Sequence, residues 1–111
     1  MPNQTQQAPL ILSLLADDPD FFEVVKMFVN EMPTRIDRLL HEFHAKNWDE
    51  LMQSTHQLKG AVGCYGFGEI TPAVGKLEQS LKNSLPEEEI QQSLVELIDL
   101  CRRIATKTED D

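Results

Sequence analysis

Leu51-Met52-Gln53-Ser54-Thr55-His56-Gln57-Leu58-Lys59-Gly60-Ala61-Val62-Gly63-Cys64-Tyr65 reads as one amphipathic helix. At about 100° per residue, Leu51, Thr55, Leu58, Val62 and Tyr65 fall within a band about 80° wide, the width of a buried stripe. The rest of the turn is polar or very small. His56 stands about 120° from the centre of the stripe, with Lys59 one turn on and on the same side. Gly60 and Gly63 complete a patch with almost no side chain, so an imidazole sits beside a cation over bare backbone.

Two glycines inside one helix cost about 1 kcal/mol each relative to alanine. A close helix crossing is the ordinary reason for them, but the crossing face here is the Leu51/Leu58/Val62 stripe and the glycines point elsewhere. Their position favours an incoming partner surface.

Working toward the C-terminus, Gly66-Phe67-Gly68 makes a tight reversal after the site helix. Thr71-Pro72 opens a helix whose buried stripe is Ile70, Val74, Leu77 and Leu81. Ser84-Leu85-Pro86-Glu87 matches a capping box with proline inside it, and Ile90, Leu94, Leu97, Ile98, Cys101 and Ile104 give the last helix one apolar face.

Working toward the N-terminus, Lys46-Asn47-Trp48-Asp49 is a short break, with Asn47 capping the site helix and Trp48 packing at the bundle end. Asp17-Asp18-Pro19-Asp20 reads as a helix start: aspartate at the cap, proline at the first helical position, more acid in the first turn. Phe21, Phe22, Val25, Phe28, Val29, Met32, Ile36, Leu39, Leu40 and Phe43 then keep one helical phase across Pro33. Two forms satisfy that phase: one long helix kinked at Pro33, or two nearly collinear helices with proline opening the second.

Leu10 to Leu15 is a short apolar run, expected to cross one end of the bundle as an extended lid or a turn of helix. Residues 1–9 read as a disordered polar tail or linker remnant, 10–106 as the bundle and 107–111 as an acidic tail. No segment has a convincing strand period. The expected fold is therefore all-α, an antiparallel four-helix bundle with an additional short N-terminal segment.

The reversal at Phe67 places one more residue. His56 and Glu78 are each eleven positions from Phe67, about 16 Å along antiparallel helices, so they lie at the same level. Glu78 also falls at the edge of its helix's apolar stripe, within reach of the Nδ1 side of the imidazole. A carboxylate accepting from Nδ1–H holds the ring and leaves Nε2 unprotonated as a nucleophile. An ordinary solvated glutamate on a bundle flank is the plainer alternative.

His56-Gln57-Leu58-Lys59-Gly60-Ala61 resembles the H-x-L-K-G-[AS] signature of histidine-containing phosphotransfer (HPt) domains, the small helical modules of multistep phosphorelays. The likeness spans roughly Leu10 to Lys82. It implies that His56 is the phosphoacceptor, taking a phosphoryl group from one receiver-domain aspartyl phosphate and passing it to another. An acid or amide at the position of Glu78 is part of the same resemblance.

A neutral imidazole with a pKa near 6.5 needs no strong base to attack phosphorus. Lys59 would screen the phosphoryl charge, and Gly60 and Gly63 would let a partner's active site approach the ring. Met52, taken as exposed one turn before His56, and Cys64 complete the expected docking face, or Met52 is a simple surface residue. Cys64 departs from the small polar residue more common in relatives, and Pro72 stands early in the following helix. In-line transfer is mostly positioning and charge neutralisation. The Mg²⁺ it requires would be held by the partner receiver's carboxylates, and the chain offers no metal cage or cofactor site of its own.

His41 and His44 stand three apart, as metal ligands might, but face away from the apolar stripe. A di-metal bundle needs inward Glu-x-x-His pairs, and Arg38, His41 and Gln53 occupy the positions three before the histidines. No Gly-rich phosphate loop is present, so no ATP site is expected and the chain reads as a phosphocarrier rather than an enzyme. Two alternatives stand beside the relay: the phosphoacceptor domain of a chemotaxis-type histidine kinase, which shares the H-x-x-K-G motif and a matching glutamate, and a non-catalytic helical adaptor.

Composition bounds the rest. A chain of 111 residues holds one domain, and a net charge of −9 disfavours nucleic acid and anionic membranes as partners. The two cysteines, Cys64 and Cys101, fit neither a disulfide framework nor a metal motif and read as free thiols. No apolar run reaches the length of a membrane span and no signal peptide is legible, so a soluble cytoplasmic protein is expected. The partners implied are response-regulator receiver domains, with a hybrid sensor histidine kinase if the chain is the end of one.

Overall fold

Residues 9–106 are described in a computed structural model. Four helices account for most of them: α1 (Phe22–His44), α2 (Trp48–Cys64), α3 (Thr71–Lys82) and α4 (Glu87–Cys101), with a single 3₁₀ turn at Gly68–Ile70. Cross-helix contacts fix their directions. Glu42 meets Ser54, His56 meets Glu78, and Ser80 meets Ser93, each pair bridging two consecutive helices across the turn that joins them, as antiparallel neighbours do.

The core is built from the expected stripes. Phe28, Met32 and Leu39 of α1, Leu51, Leu58 and Val62 of α2, Val74 and Leu77 of α3, and Leu94 and Leu97 of α4 are buried together, with Phe67 of the reversal inserted among them. Each such side chain contributes about 1.5–3 kcal/mol on burial. Thr55 joins the stripe because its hydroxyl donates to the Leu51 carbonyl at 2.7 Å, leaving no unpaired group inside.

The three interhelical turns share one device. Lys46 (φ 57°), Gly66 (φ 84°) and Ser84 (φ 51°) each take the left-handed conformation just past a helix end. The next residue then donates back to a carbonyl of the last turn: Asn47 to Glu42 at 2.9 Å, Phe67 to Val62 at 2.7 Å and Leu85 to Ser80 at 3.1 Å. This closing pattern satisfies carbonyls that the helix leaves orphaned.

That device overturns one expectation. Ser84 caps no helix N-terminus; it is taken by the end of α3, and α4 begins after Pro86 with no side-chain cap. Asn47 does cap α2, accepting from the Glu50 amide at 3.4 Å. α1 begins at Phe22 rather than at Pro19, because Asp18 closes a turn of its own: its carboxylate accepts from the Asp20 amide at 2.9 Å and its carbonyl from those of Phe21 and Phe22. Pro33 lies inside α1, so the continuous helix is the form adopted.

Of the two forms expected for the N-terminal apolar run, the extended one is adopted, in a short strand pairing. β1 (Ile11–Leu12) runs parallel to β2 (Ile104–Ala105), joining the two ends of the described chain. The apolar run is extended as far as Ser13 and turns from Leu14, burying Ile11 and Ser13 while Leu10, Leu12 and Leu14 face out, Leu14 at 87% exposure. Ser13 is held by donating to the Tyr65 carbonyl at 2.6 Å, and the Leu14 amide donates to Gly66 at 3.0 Å. The strap is thereby fastened to the turn that ends the site helix. The tails expected at the termini lie outside the described residues, apart from Pro9, whose carbonyl accepts from Arg103 at 3.5 Å.

Candidate functional site

α2 carries His56 in its middle, where helical geometry holds the backbone and leaves the side chain free. The imidazole is 76% exposed. Across the groove between α2 and α3, Glu78 presents a buried carboxylate whose Oε2 lies 2.9 Å from Nδ1 of the ring. Lys59, one turn beyond His56, donates from Nζ to the other oxygen, Oε1, at 3.2 Å. One carboxylate, its side chain only 6% exposed, is thus shared between an imidazole and an ammonium.

These contacts set the charge states. The hydrogen bond from His56, and after it the one from Lys59, hold the Glu78 carboxyl below the ordinary glutamate range; burial opposes them, and the charges of Lys59 and Lys82 add to them. An ionised carboxylate can only accept, so Nδ1 carries the proton and donates to Glu78. In the neutral ring Nε2 then keeps its lone pair and faces solvent. The tautomer of an exposed imidazole is thereby fixed from behind.

Gly60 and Gly63 lie beyond His56 on the exposed side of α2. A Cβ placed on either would meet no atom within 4 Å. Internal packing therefore gives no reason for either glycine, and the helix carries their cost without an intramolecular return. Cys64 is exposed at the end of the same helix. Met52 is half-buried and packed against the core, which corrects its reading as an exposed residue: its position one turn before His56 lies close enough to the buried stripe for the flexible thioether to reach it.

The remaining sequence candidates fall elsewhere. His41 and His44 are exposed on α1, and among the described residues no group of three or more His, Cys, Asp or Glu side chains is placed to hold a metal ion. Cys101 is buried in the core, where desolvation pushes its thiol up to about 12. Among the described residues no helix is long and apolar enough to cross a membrane.

Two residues near the site escaped the sequence reading. Lys82 stands one helical turn after Glu78 and acts on it through charge, a signal present in the i, i+4 spacing. Glu42 of α1 is buried, with Oε2 accepting from the Ser54 hydroxyl at 3.1 Å and Oε1 without a protein partner. Its signal was its position in the phase of Leu39 and Phe43, where an acid interrupts the stripe.

Comparison with known proteins gives a consistent result. The family model described as Hpt domain matches residues 23–107, most of the chain, covering α2 to α4 and all of α1 but its first residue. Comparisons with curated proteins and with solved structures returned no match.

Proposed function

The chain belongs to the Hpt domain family, and from that premise we propose that it carries a phosphoryl group on His56 between receiver-domain aspartates of a multistep phosphorelay. The observation that carries the proposal is the fixed tautomer: an exposed imidazole whose Nδ1 is engaged by Glu78 at 2.9 Å, leaving Nε2 to attack. Family membership supports the phosphocarrier reading, and the site geometry supports His56 as its acceptor.

The roles follow from the chemistry of in-line transfer. Nε2 attacks the phosphorus of an aspartyl phosphate, the P–O bond breaks toward the aspartate, and the P–N bond forms. Glu78 orients the ring. Lys59, released in part from Glu78, screens the arriving phosphoryl charge. Gly60, Gly63 and Cys64 form the surface on which the receiver sits, with Met52 supporting it from the edge of the core. The divalent cation that such transfer uses belongs, in this reading, to the receiver's own carboxylates.

Loading tests the proposal. A panel of phosphorylated receiver domains with Mg²⁺ is mixed with wild type and with His56→Gln, and acid-labile label on this chain is followed. Label on wild type that His56→Gln abolishes is the expected result. Label that appears only with a histidine kinase core and ATP would move the chain to the chemotaxis-type reading, which the glutamate at position 78 also fits. Absence of label from both sources leaves the helical adaptor.

A further inference from the structure

We infer that the phosphorylated His56 ring is held as a cation, keeping its Nδ1 proton against the Glu78 carboxylate, so that phospho-His56 is a readily discharged donor rather than a phosphoryl store. The inference rests on the reading of His56 as phosphoacceptor and adds the charge state and lifetime of the product. It begins from geometry. Two hydrogen-bond acceptors 2.9 Å apart need one proton between them, and an ionised carboxylate facing a ring nitrogen supplies none.

Before transfer, the neutral ring provides that proton as Nδ1–H. Attack by Nε2 moves no proton: the P–N bond forms, the acyl-phosphate P–O bond breaks with its electron pair leaving on the donor aspartate, and the ring takes a positive charge. To become neutral the phosphorylated ring would have to give up Nδ1–H. That would set a lone pair against Oε2 of Glu78, losing a charge-assisted hydrogen bond and leaving a buried carboxylate oxygen facing another acceptor.

Lys59 decides where the proton stays. Its ammonium donates to Oε1 at 3.2 Å, so Glu78 is already satisfied as an anion and is a poor acceptor of a full proton. The lowering of the Glu78 carboxyl by both partners agrees with this. The charged groups placed at the ring are Glu78 from α3 and Lys59 from α2, with Lys82 of α3 acting on Glu78. The carboxylate is in hydrogen-bond contact with the ring and the lysines only partly neutralise it from its far side, so the net effect favours the ring cation. Discharge then releases neutral imidazole instead of an imidazolate anion, a far better leaving group.

Phosphoramidate, a small-molecule phosphoryl donor, loads histidine without a receiver and so separates this inference from partner identity. The midpoint of Nδ1 titration in phospho-His56 is read by NMR, and the lifetime of the phosphoryl group is followed across pH. Glu78→Gln keeps an amide oxygen able to accept from Nδ1–H but removes the charge. Its midpoint is expected to fall by about one pH unit, with a lifetime near neutral pH about tenfold longer. Lys59→Met is expected to shift the midpoint the other way, because the carboxylate is no longer partly neutralised.

Equal midpoints in wild type and Glu78→Gln would overturn the inference while leaving the phosphoacceptor in place. Should Glu78→Gln lose its helical circular dichroism signal, Lys59→Met decides alone, and the absence of an upward shift overturns the inference. Failure of phosphoramidate to label wild-type His56 would remove the phosphoacceptor reading itself and the inference with it.

Discussion

Glu78 receives the Nδ1 side of His56 at 2.9 Å from the neighbouring helix, although the two residues stand on either side of the Phe67 reversal. The contact needs a tight turn of fixed length and a carboxylate at the edge of a buried stripe. Both are conditions on the fold, so the bundle is what fixes the tautomer.

The glycines separate function from stability. Gly60 and Gly63 have open space where a Cβ would go. Gly60→Ala is expected to stabilise the free chain by about 0.5–1 kcal/mol, as alanine does in an exposed helix interior, while slowing phosphoryl transfer from a receiver. Urea unfolding and single-turnover transfer on the same preparation check this. A lower unfolding midpoint would contradict the open-space reading.

Gly66 behaves in the opposite sense. It holds φ at 84°, and an added Cβ would collide with the Ser13 hydroxyl and crowd the Leu14 and Leu15 amides at 3.0 Å. Gly66→Ala is expected to destabilise by about 1–3 kcal/mol and to loosen the N-terminal strap. Thermal unfolding beside Gly68→Ala, where a Cβ meets nothing within 4 Å, isolates the effect. Equal losses in the two variants would contradict it.

How much of this was legible follows from what each feature depends on. The stripe of Leu51, Leu58 and Val62 depends only on helical period, and the level of Glu78 only on period and one turn, so both could be read from spacing. Ser84 could not, because serine serves a helix start and, at a cost, a left-handed helix end; which role wins is decided by the closing bond from Leu85 to Ser80. The pairing of Ile11–Leu12 with Ile104–Ala105 spans two residues per strand, too few to carry a period. The approach of Lys59 to Glu78 was equally hidden, since a flexible four-carbon side chain leaves its partner open until the groove is built.

Buried Glu42 and half-buried Ser54 form a pair that links α1 to α2. Ser54→Ala removes the one side-chain partner of a carboxylate whose other oxygen already lacks one, and is expected to cost about 1–3 kcal/mol. Replacing both residues, as Ser54→Ala with Glu42→Met, is expected to recover much of that loss. A double-mutant cycle in urea measures the coupling, and additive single effects would show the contact to be energetically idle.

Acid stability carries the signature of Glu78. Its carboxyl is lowered from the ordinary 4.5 in the folded chain, so its contribution is present above that value and is lost as pH falls through the lower folded value. Glu78→Gln is accordingly expected to lose less stability than wild type as pH falls below 4.5. Chemical unfolding midpoints across that window check the sign. An equal or steeper decline in the variant would mean that Glu78 is not held ionised by His56 and Lys59.

The most direct measurement of the central claim is relay through the chain. One phosphorylated receiver is mixed with Mg²⁺, substoichiometric wild-type protein and a second, unphosphorylated receiver, and label is followed on all three. The account predicts transient acid-labile label on this chain, its passage to the second receiver with turnover, and loss of both steps with His56→Gln. Passage of label to the second receiver at the same rate with His56→Gln would contradict it.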